Sequence, residues 1–377
     1  MNNAENTIAI LNYESYDRMP LVHFGFWEET LEKWHMEGHI TADEAAHGAI
    51  DHSPEQRSLA AKLGFDFCWG NSRAFPGLLY PPFVEETVEI LSDGSRKIRN
   101  SNGVIILQFP GIRSIPQEFD HMLKDRTTWE RHFLPRLQDI DRIVPSEMSK
   151  WKSEKEKFDE PICIHLGSQM GIIRDWLGLE NFSYLQVDDE ALFREIAVTI
   201  GNLTLSVVEK TMALAKANDF KFDYAHYWED ICFRGGPLIN PVIFNEICGP
   251  LYRRMTSLLK DYGLSIVSVD CDGKIDSLLP VWLENGVNTM FPIEVGTWGA
   301  SIAPWREKYG KALRGVGGMD KNLFASGRCA IAKEVERLKR LVEIGGYIPC
   351  PDHRIPPNAK FELVRYYCEF FRKHINQ

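Results

Sequence analysis

Short apolar runs alternate with longer amphipathic segments along most of this chain. Seven apolar runs predict buried strands, at residues 20–26, 161–167, 220–228, 264–270, 286–295, 311–318 and 346–350. Between them, residues 189–218 and 240–263 have helical periodicity and suitable ends. Asn240 and Pro241 are typical of a helix start, and Gly263 of a helix end.

This repeated alternation of strand and helix predicts an α/β protein with a parallel sheet. Its length favours a (β/α)8 TIM barrel that, together with an N-terminal extension, forms one domain over residues 1–377. A doubly wound open sheet is the alternative. No GxGxxG follows a strand, so the dinucleotide-binding version of that fold has no support.

Residues 83–109 do not follow this alternation of strands and helices. Turn signals at Asp93-Gly94 and Asn102-Gly103 separate segments of high β-propensity. We therefore expect a small antiparallel insertion that shapes or covers the mouth of the barrel.

Composition narrows the classes of function. The net charge is -10 with acids and bases interleaved, which argues against a nucleic-acid partner. The eight cysteines form no CxxC pair, as is typical of a reducing compartment. We see no signal peptide and no apolar run of membrane-spanning length, so we expect a cytoplasmic protein without a membrane partner. A homodimer is the default oligomer.

Acidic residues follow several predicted strands. Asp270 and Asp272 end the run at 264–270, and alternation along the strand places both on one side with Cys271 on the other. The later strands lead to Glu294, Asp320, Asp352 and His353, and residues 220–228 lead to Glu229 and Asp230.

Because active sites of barrels lie at these strand ends, we expect the polar side chains to converge. Asp270, Asp272 and His353 are the predicted ligands of a divalent metal with open coordination. Glu229, Asp230 and Glu294 are candidate proton carriers. The alternative is that these acids cap the next helices, which explains Asp320 and Asp272, the latter before a turn at Gly273, better than Glu294 or His353.

Aromatic residues near the same ends are candidates for a substrate pocket. His23, Trp27 and Trp228 are the positions we select, although a histidine among aromatic residues is more often packed in the core. Cys271 points away from the aspartates and is a poor nucleophile.

Four stretches resemble the uroporphyrinogen decarboxylase superfamily: DRMPLVHFGFW at 17–27, GPLINPVIFNEICGPLYRRM at 236–255, GGMDKNLFASG at 317–327 and GGYIPCPDHRIPPNAKFELVRYY at 345–367. The resemblance covers nearly the whole chain and implies a (β/α)8 barrel. The superfamily contains tetrapyrrole decarboxylases and methyltransferases that work with corrinoid proteins.

The residues favour the methyltransferase-like branch. True decarboxylases carry an arginine-rich stretch after the first strand, whereas residues 24–34 here contain no arginine and three acids. The methyltransferases bind zinc through His-x-Cys-Gly and a later cysteine. The resemblance places Asp270 and Asp272 at the His-x-Cys positions and His353 near the later cysteine.

Replacing thiolates by carboxylates makes a harder metal site that prefers oxygen. We therefore expect an enzyme that moves a methyl group from a small O-methyl substrate to a corrinoid supplied by a partner protein. Zinc is the metal that the resemblance implies, and Mg and Mn are compatible with these ligands. The alternatives are a decarboxylase or other lyase acting on a tetrapyrrole or a smaller acid, and a barrel that binds a ligand without catalysis.

Overall fold

The computed structural model describes residues 1–73, 77–110 and 117–376. Its strands are β1 (Val22–His23), β2 (Phe67–Cys68), β3 (Ser72–Arg73), β4 (Glu86–Ile90), β5 (Arg96–Arg99), β6 (Val104–Gln108), β7 (Gln117–His121), β8 (Cys163–His165), β9 (Tyr224–Trp228), β10 (Cys232–Phe233), β11 (Gly236–Pro237), β12 (Val267–Asp270), β13 (Thr289–Ile293), β14 (Arg314–Met319) and β15 (Tyr347–Pro351).

Helices connect most of these strands. They are α1 (Asn3–Leu11), α2 (Glu28–Met36), α3 (Ala42–His47), α4 (Pro54–Leu63), α5 (Arg126–Thr128), α6 (Pro145–Lys157), α7 (Gly171–Asp188), α8 (Glu190–Ala217), α9 (Pro241–Asp261), α10 (Leu279–Glu284), α11 (Val295–Trp298), α12 (Ile302–Tyr309), α13 (Arg328–Val342) and α14 (Phe361–Ile375).

The central sheet is parallel and has the strand order β15-β14-β13-β12-β9-β8-β3. β1 and β2 form a separate parallel pair. Beyond β1, Phe26 makes a parallel bridge to Ile355, which follows β15. All seven predicted strands are present, and the mixed α/β class with a mainly parallel sheet is confirmed.

A second, antiparallel sheet has the order β4-β5-β6-β7. The predicted antiparallel strands within residues 83–109 are therefore present, and β7 adds a fourth strand that the sequence did not predict. β7 packs on α7, because a Cβ placed on Gly178 would lie 2.3 Å from the His121 ring. Gly178 has φ of +71° and kinks α7 at this contact.

The predicted long helices begin and end close to their expected positions. Asp189 accepts a hydrogen bond from the backbone N–H of Leu192 at the start of α8, and Asn240 from that of Val242 at the start of α9. Of the helices described, α8 is long and apolar enough to cross a membrane. However, 56% of its most apolar window is buried inside the protein, as in a core helix.

The N-terminal extension packs beneath the sheet. The Tyr13 hydroxyl donates to the carbonyl of Leu313, and the guanidinium of Arg314 donates to the carbonyl of Leu11 at the end of α1. These contacts lie at the start of β14, opposite the carboxyl ends of the strands, so the extension leaves those ends accessible.

Candidate functional site

Three aspartates converge at the carboxyl ends of β9 and β12. One oxygen from each of Asp230, Asp270 and Asp272 lies within 4.8 Å of the others, and all three residues are partly buried. Asp270 and Asp272 lie together, as the predicted alternation requires, and Cys271 between them is buried. We call these three residues the aspartate cluster.

Asp230 joins the cluster through its backbone. Its φ of +42° is in the left-handed region, which turns the chain directly after β9. The indole Nε1 of Trp228 donates to its Oδ2 at 3.1 Å, and the backbone N–H of Asp272 donates to its Oδ1 at 2.9 Å. The predicted pocket residue Trp228 thus orients a carboxylate of the cluster.

His353 lies beside the cluster. Its Nε2 is 3.2 Å from Oδ2 of Asp272, and its ring stacks on Trp27 with centroids 5.4 Å apart. The Phe24 ring is 5.2 Å from the His353 ring on another side. The predicted ligand set is therefore changed in one member: Asp230 lies together with Asp270 and Asp272, whereas His353 lies outside this group and contacts Asp272. Trp27 is adjacent to His353.

Glu229 has a different environment, although it is adjacent to Asp230. It is completely buried. Its carboxylate accepts hydrogen bonds from Ser168 Oγ, from the backbone N–H groups of Gln169, Met170 and Gly171, and from the Tyr252 hydroxyl. These donors surround the start of α7, so Glu229 holds that helix in place and satisfies N–H groups that have no partner within the helix.

Glu294, after β13, supports the loop that carries Asp272. Its Oε2 accepts a hydrogen bond of 2.6 Å from the backbone N–H of Gly273, and its Oε1 accepts one of 2.9 Å from Thr297. Only 5% of the residue is exposed. Burial raises the pKa of Glu294, and the charge of Asp272 raises it further.

Two other acids at strand ends act as caps. Asp320 accepts from the backbone N–H of Asn322, as the capping alternative predicted. Asp352 is fully buried and accepts from the backbone N–H groups of Gly296 and Lys321. Capping thus accounts for Asp320 and Asp352, whereas it leaves the aspartate cluster unexplained.

The electrostatics of the cluster call for a positive charge. Burial raises the pKa of Asp230 to about 7, and Asp272 contributes to the rise. The pKa of Asp270 lies well above its usual range because the residue is buried and Asp230 and Asp272 repel its charge. Arg354 opposes this rise, but its guanidinium is hydrogen-bonded to Asp51.

A divalent cation fits these residues. Oδ1 of Asp272 is buried and has no hydrogen-bond partner among the residues that the structure describes, so it is an acceptor that a cation would satisfy. Carboxylate oxygens with a neighbouring imidazole suit Zn²⁺, Mn²⁺ or Mg²⁺. The residues that would hold the ion are Asp230, Asp270 and Asp272, with His353 as an additional nitrogen donor.

The raised pKa values predict how the stability of chelated protein depends on pH. A carboxyl group with a higher pKa in the folded state binds more protons there than in the unfolded state. Its stabilising contribution is therefore lost as the pH rises through the folded pKa. With EDTA present, we expect the Tm to fall by about 1–3 °C between pH 6.5 and 8, because one pKa unit corresponds to about 1.4 kcal/mol and a chain of this length shifts by about 1–2 °C per kcal/mol.

This range avoids the buried histidines, which protonate on unfolding only below about pH 6.5. Thermal melts of the wild type and Asp270→Asn provide the measurement. The variant should show a clearly smaller fall, because it removes one of the repelling charges. An equal fall in both proteins would contradict the assignment.

His23 lies outside this arrangement. It is buried between the rings of Phe26 and Phe65, and its Nδ1 accepts from the backbone N–H of Gly25. Burial lowers its pKa to about 3. It lines a separate cavity of about 240 Å³ with His52 and Glu160. The prediction that His23 belongs to the substrate pocket is therefore not supported by its position.

Two charged residues near the cluster were not predicted. Burial raises the pKa values of Asp230 and Asp270, and the positive charges of Arg174, in the first turns of α7, and Arg354 oppose the rise at Asp230 and Asp270, respectively. Arg354 follows His353 directly, which was a signal in the sequence. Arg174 had no such signal, because its position depends on how Glu229 fixes the start of α7.

Comparisons with known proteins add information about the fold. No protein-family model matches the chain, and no curated protein matches it. A methyltransferase from Methanosarcina mazei matches at 13% sequence identity with a TM-score of 0.58, over 99% of this chain and 99% of that chain. A B12-independent methionine synthase from Shewanella sp. W3-18-1 matches at 11% identity with a TM-score of 0.48, over 95% and 99%. The first match shows a shared fold.

Proposed function

We propose that this chain is a metal-dependent methyltransferase that removes a methyl group from an oxygen atom of a small molecule. The observation that carries the proposal is the aspartate cluster, with its crowded carboxylates and with Oδ1 of Asp272, which has no hydrogen-bond partner within residues 1–73, 77–110 and 117–376. Such a cluster is costly without a cation and suits a cation that binds oxygen.

The fold supports this proposal. The parallel strands run in the order of a barrel, and the bridge between Phe26 and Ile355 joins the first strand region to the last. We infer that β2 and β3 together form the second of eight strands. We also infer that the barrel closes at the bridge between Phe26 and Ile355. The aspartate cluster would then lie at the carboxyl end, where barrels carry active sites. The shared fold with a methyltransferase agrees with this reading.

Each residue of the site has its own role in the proposed reaction. A bound divalent cation would act as a Lewis acid toward an ether oxygen. Asp230, Asp270 and Asp272 would hold the ion, and Trp228 and Glu294 keep Asp230 and the Asp272 loop in place. Burial raises the pKa of Glu294, which lies beside the Asp272 loop, so we propose it as the group that delivers a proton to the departing oxygen. Glu229 positions these elements from inside the protein.

The methyl acceptor in this proposal is the cobalt(I) of a partner corrinoid protein. The carbon–oxygen bond breaks and a carbon–cobalt bond forms, while the electron pair of the broken bond stays on oxygen. That oxygen then takes one proton and leaves as a hydroxyl group. Cobalt supplies the two electrons of the new bond, so no external oxidant or reductant is required.

The test is anaerobic methyl transfer from methoxyphenols to free cob(I)alamin, followed by the absorbance change from cobalt(I) to methylcobalt(III). We expect metal-loaded wild type to catalyse transfer and Asp270→Asn to lose at least about a hundredfold in rate, as when a metal ligand or its support is removed. Asp320→Asn is the matched control, because Asp320 is a capping acid at a neighbouring strand end. Full activity of Asp270→Asn would refute the proposal.

A second candidate has one observation in its favour. With a pKa of about 7, Asp230 could exchange protons at neutral pH without a metal, as decarboxylation or another lyase reaction on a small acid requires. This candidate predicts carbon dioxide release by chelated protein with no corrinoid present. Retention of that activity after metal removal would favour it over methyl transfer.

A further inference from the structure

Two cysteines lie next to the aspartate cluster in the sequence. Cys271 stands between Asp270 and Asp272, and Cys232 comes two residues after Asp230. Both are free thiols, and Cys271 is only 1% exposed, whereas Cys232 is half-buried. Solvent therefore reaches one thiol of the pair, while the other belongs to the core.

The segments that carry the two cysteines run side by side. The backbone N–H of Glu229 donates to the carbonyl of Asp270 at 2.8 Å. Further along, a Cβ placed on Gly273 would lie 2.7 Å from the carbonyl carbon of Cys232. Cys271 lies between these two contacts. Neighbouring extended backbones are about 4.8 Å apart, which is within the Cα separation of about 4.4–6.8 Å that a disulfide needs.

The two thiols also contact each other. The Cys271 thiol is in hydrogen-bonding contact with the Cys232 thiol, and its sulfur accepts from the backbone N–H of Ile231. The carbonyl oxygen of Asp272 lies 3.6 Å from the same sulfur. The Cys271 side chain therefore faces the segment that follows Asp230. A covalent bond between the two sulfurs would form across a contact that already exists.

Such a bond would change the aspartate cluster. The two sulfurs must move closer together to bond, and one peptide bond on each side joins Cys271 to Asp270 and to Asp272. The backbone N–H of Asp272 also donates to Oδ1 of Asp230 at 2.9 Å. A shift of the Cys271 backbone therefore displaces the carboxylates, whereas ligands of a metal ion keep their distances to within about 0.2 Å.

We propose that Cys232 and Cys271 form a reversible disulfide that weakens the binding of a divalent cation by the aspartate cluster. This inference rests on the metal site of the proposed function and adds regulation by oxidants to it. In a reducing compartment protein disulfides are usually transient, and many of them sense oxidants. The disulfide would inactivate the site under oxidation, and reduction would restore it.

The oxidant in this reaction is a small-molecule disulfide such as oxidised glutathione. The thiolate of Cys232, which solvent reaches, attacks one sulfur of the oxidant, and one glutathione thiol leaves. Cys271 then attacks the sulfur of Cys232 and releases the second glutathione. One S–S bond replaces two S–H bonds of the protein, and the two protons and two electrons that the protein loses convert the oxidant into two thiols.

Peptide mass spectrometry of the full chain tests whether the bond forms. The protein is incubated with oxidised glutathione, its remaining thiols are alkylated, and it is digested. We expect a peptide pair joined through Cys232 and Cys271 that disappears after treatment with dithiothreitol. Cys232→Ser should prevent this link, whereas Cys329→Ser should keep it, because Cys329 is an exposed cysteine on α13. Absence of the link from oxidised wild type, or its presence at another pair of cysteines instead, would overturn the proposal.

Titration calorimetry with MnCl₂ tests the consequence for the cluster. Mn²⁺ prefers oxygen ligands, so the loss of free thiols does not itself change its binding. We expect oxidised wild type to bind Mn²⁺ at least about tenfold more weakly than reduced wild type, the lower end of the losses seen when groups around metal ligands are altered. Cys232→Ser should bind equally well before and after oxidation. Equal affinities of linked and reduced wild type, or no binding by the reduced protein, would contradict the proposal.

Neither measurement requires corrinoid or a methylated substrate, so the two proposals can fail separately. A Mn²⁺ affinity that falls with the Cys232–Cys271 link, in a protein that transfers no methyl group, would support the disulfide and refute the methyltransferase. Equal Mn²⁺ affinities with and without the link, in a protein that does transfer methyl groups, would refute the disulfide proposal alone.

Discussion

Asp272→Asn should abolish tight binding of a divalent cation. We expect wild-type protein to hold about one Zn²⁺ or Mn²⁺ per chain and the variant to lose at least about a hundredfold in affinity. The substitution removes the charge of the carboxylate whose Oδ1 finds no hydrogen-bond partner in the described part of the chain and whose Oδ2 faces His353. Elemental analysis of dialysed protein and titration calorimetry with ZnCl₂ and MnCl₂ provide the measurement.

Asp320→Asn is again the control, because it changes an equal charge at a neighbouring strand end without touching the cluster. Equal metal content in Asp272→Asn and Asp320→Asn would contradict the site. The sign of the stability change is a second check. In chelated protein, Asp270→Asn should raise the Tm because it relieves repulsion from Asp230 and Asp272, whereas with saturating cation it should lower the Tm.

Glu229→Ala should destabilise the protein by about 3–5 kcal/mol, because each buried donor left without an acceptor costs about 1–3 kcal/mol. Five donors lose their acceptor at once, including three backbone N–H groups at the start of α7. Glu229→Gln should cost less, about 1–3 kcal/mol, because the amide oxygen still accepts while its NH₂ group opposes donors. Urea unfolding, followed by tryptophan fluorescence, measures both.

Glu307→Ala provides the reference, because Glu307 is exposed on α12 and surface substitutions usually change stability by less than about 0.5 kcal/mol. Comparable stability of Glu229→Ala and Glu307→Ala would show that the Glu229 network contributes little. Activity of Glu229→Gln at a temperature where it stays folded would be a separate readout of how α7 positions Asp230.

The long apolar runs made most of the sheet predictable. β9, β12 and β13 lie inside continuous apolar segments, so their positions followed from the pattern. β2 and β3 were missed because each has two residues and Gly70 and Asn71 interrupt them. β7 was missed because QEFDH carries two acids and has no apolar face, and its pairing with β6 is what makes it a strand.

The candidate site was predictable where a local rule applied. Alternation along one strand placed Asp270 and Asp272 together without knowledge of the fold. The roles of Glu229 and Asp230 could not be separated in this way, since both are acids directly after β9. The left-handed backbone of Asp230 turns it into the cluster, and the start of α7 captures Glu229. The location of His23 could not be predicted from a local rule, because its packing against Phe26 and Phe65 decides where its side chain points.

Glu229 and Asp230 share a peptide bond, and this has a consequence for comparing homologues. One residue anchors a helix and the other lies where chemistry would occur, so selection on either restricts the other. An insertion of a β-hairpin or a loop between them would separate the residue that holds α7 from the residue in the aspartate cluster, so both would lose their positions. Homologues that keep this fold should therefore retain the pair as one unit, and an invariant glutamate at 229 would indicate architecture rather than contact with substrate.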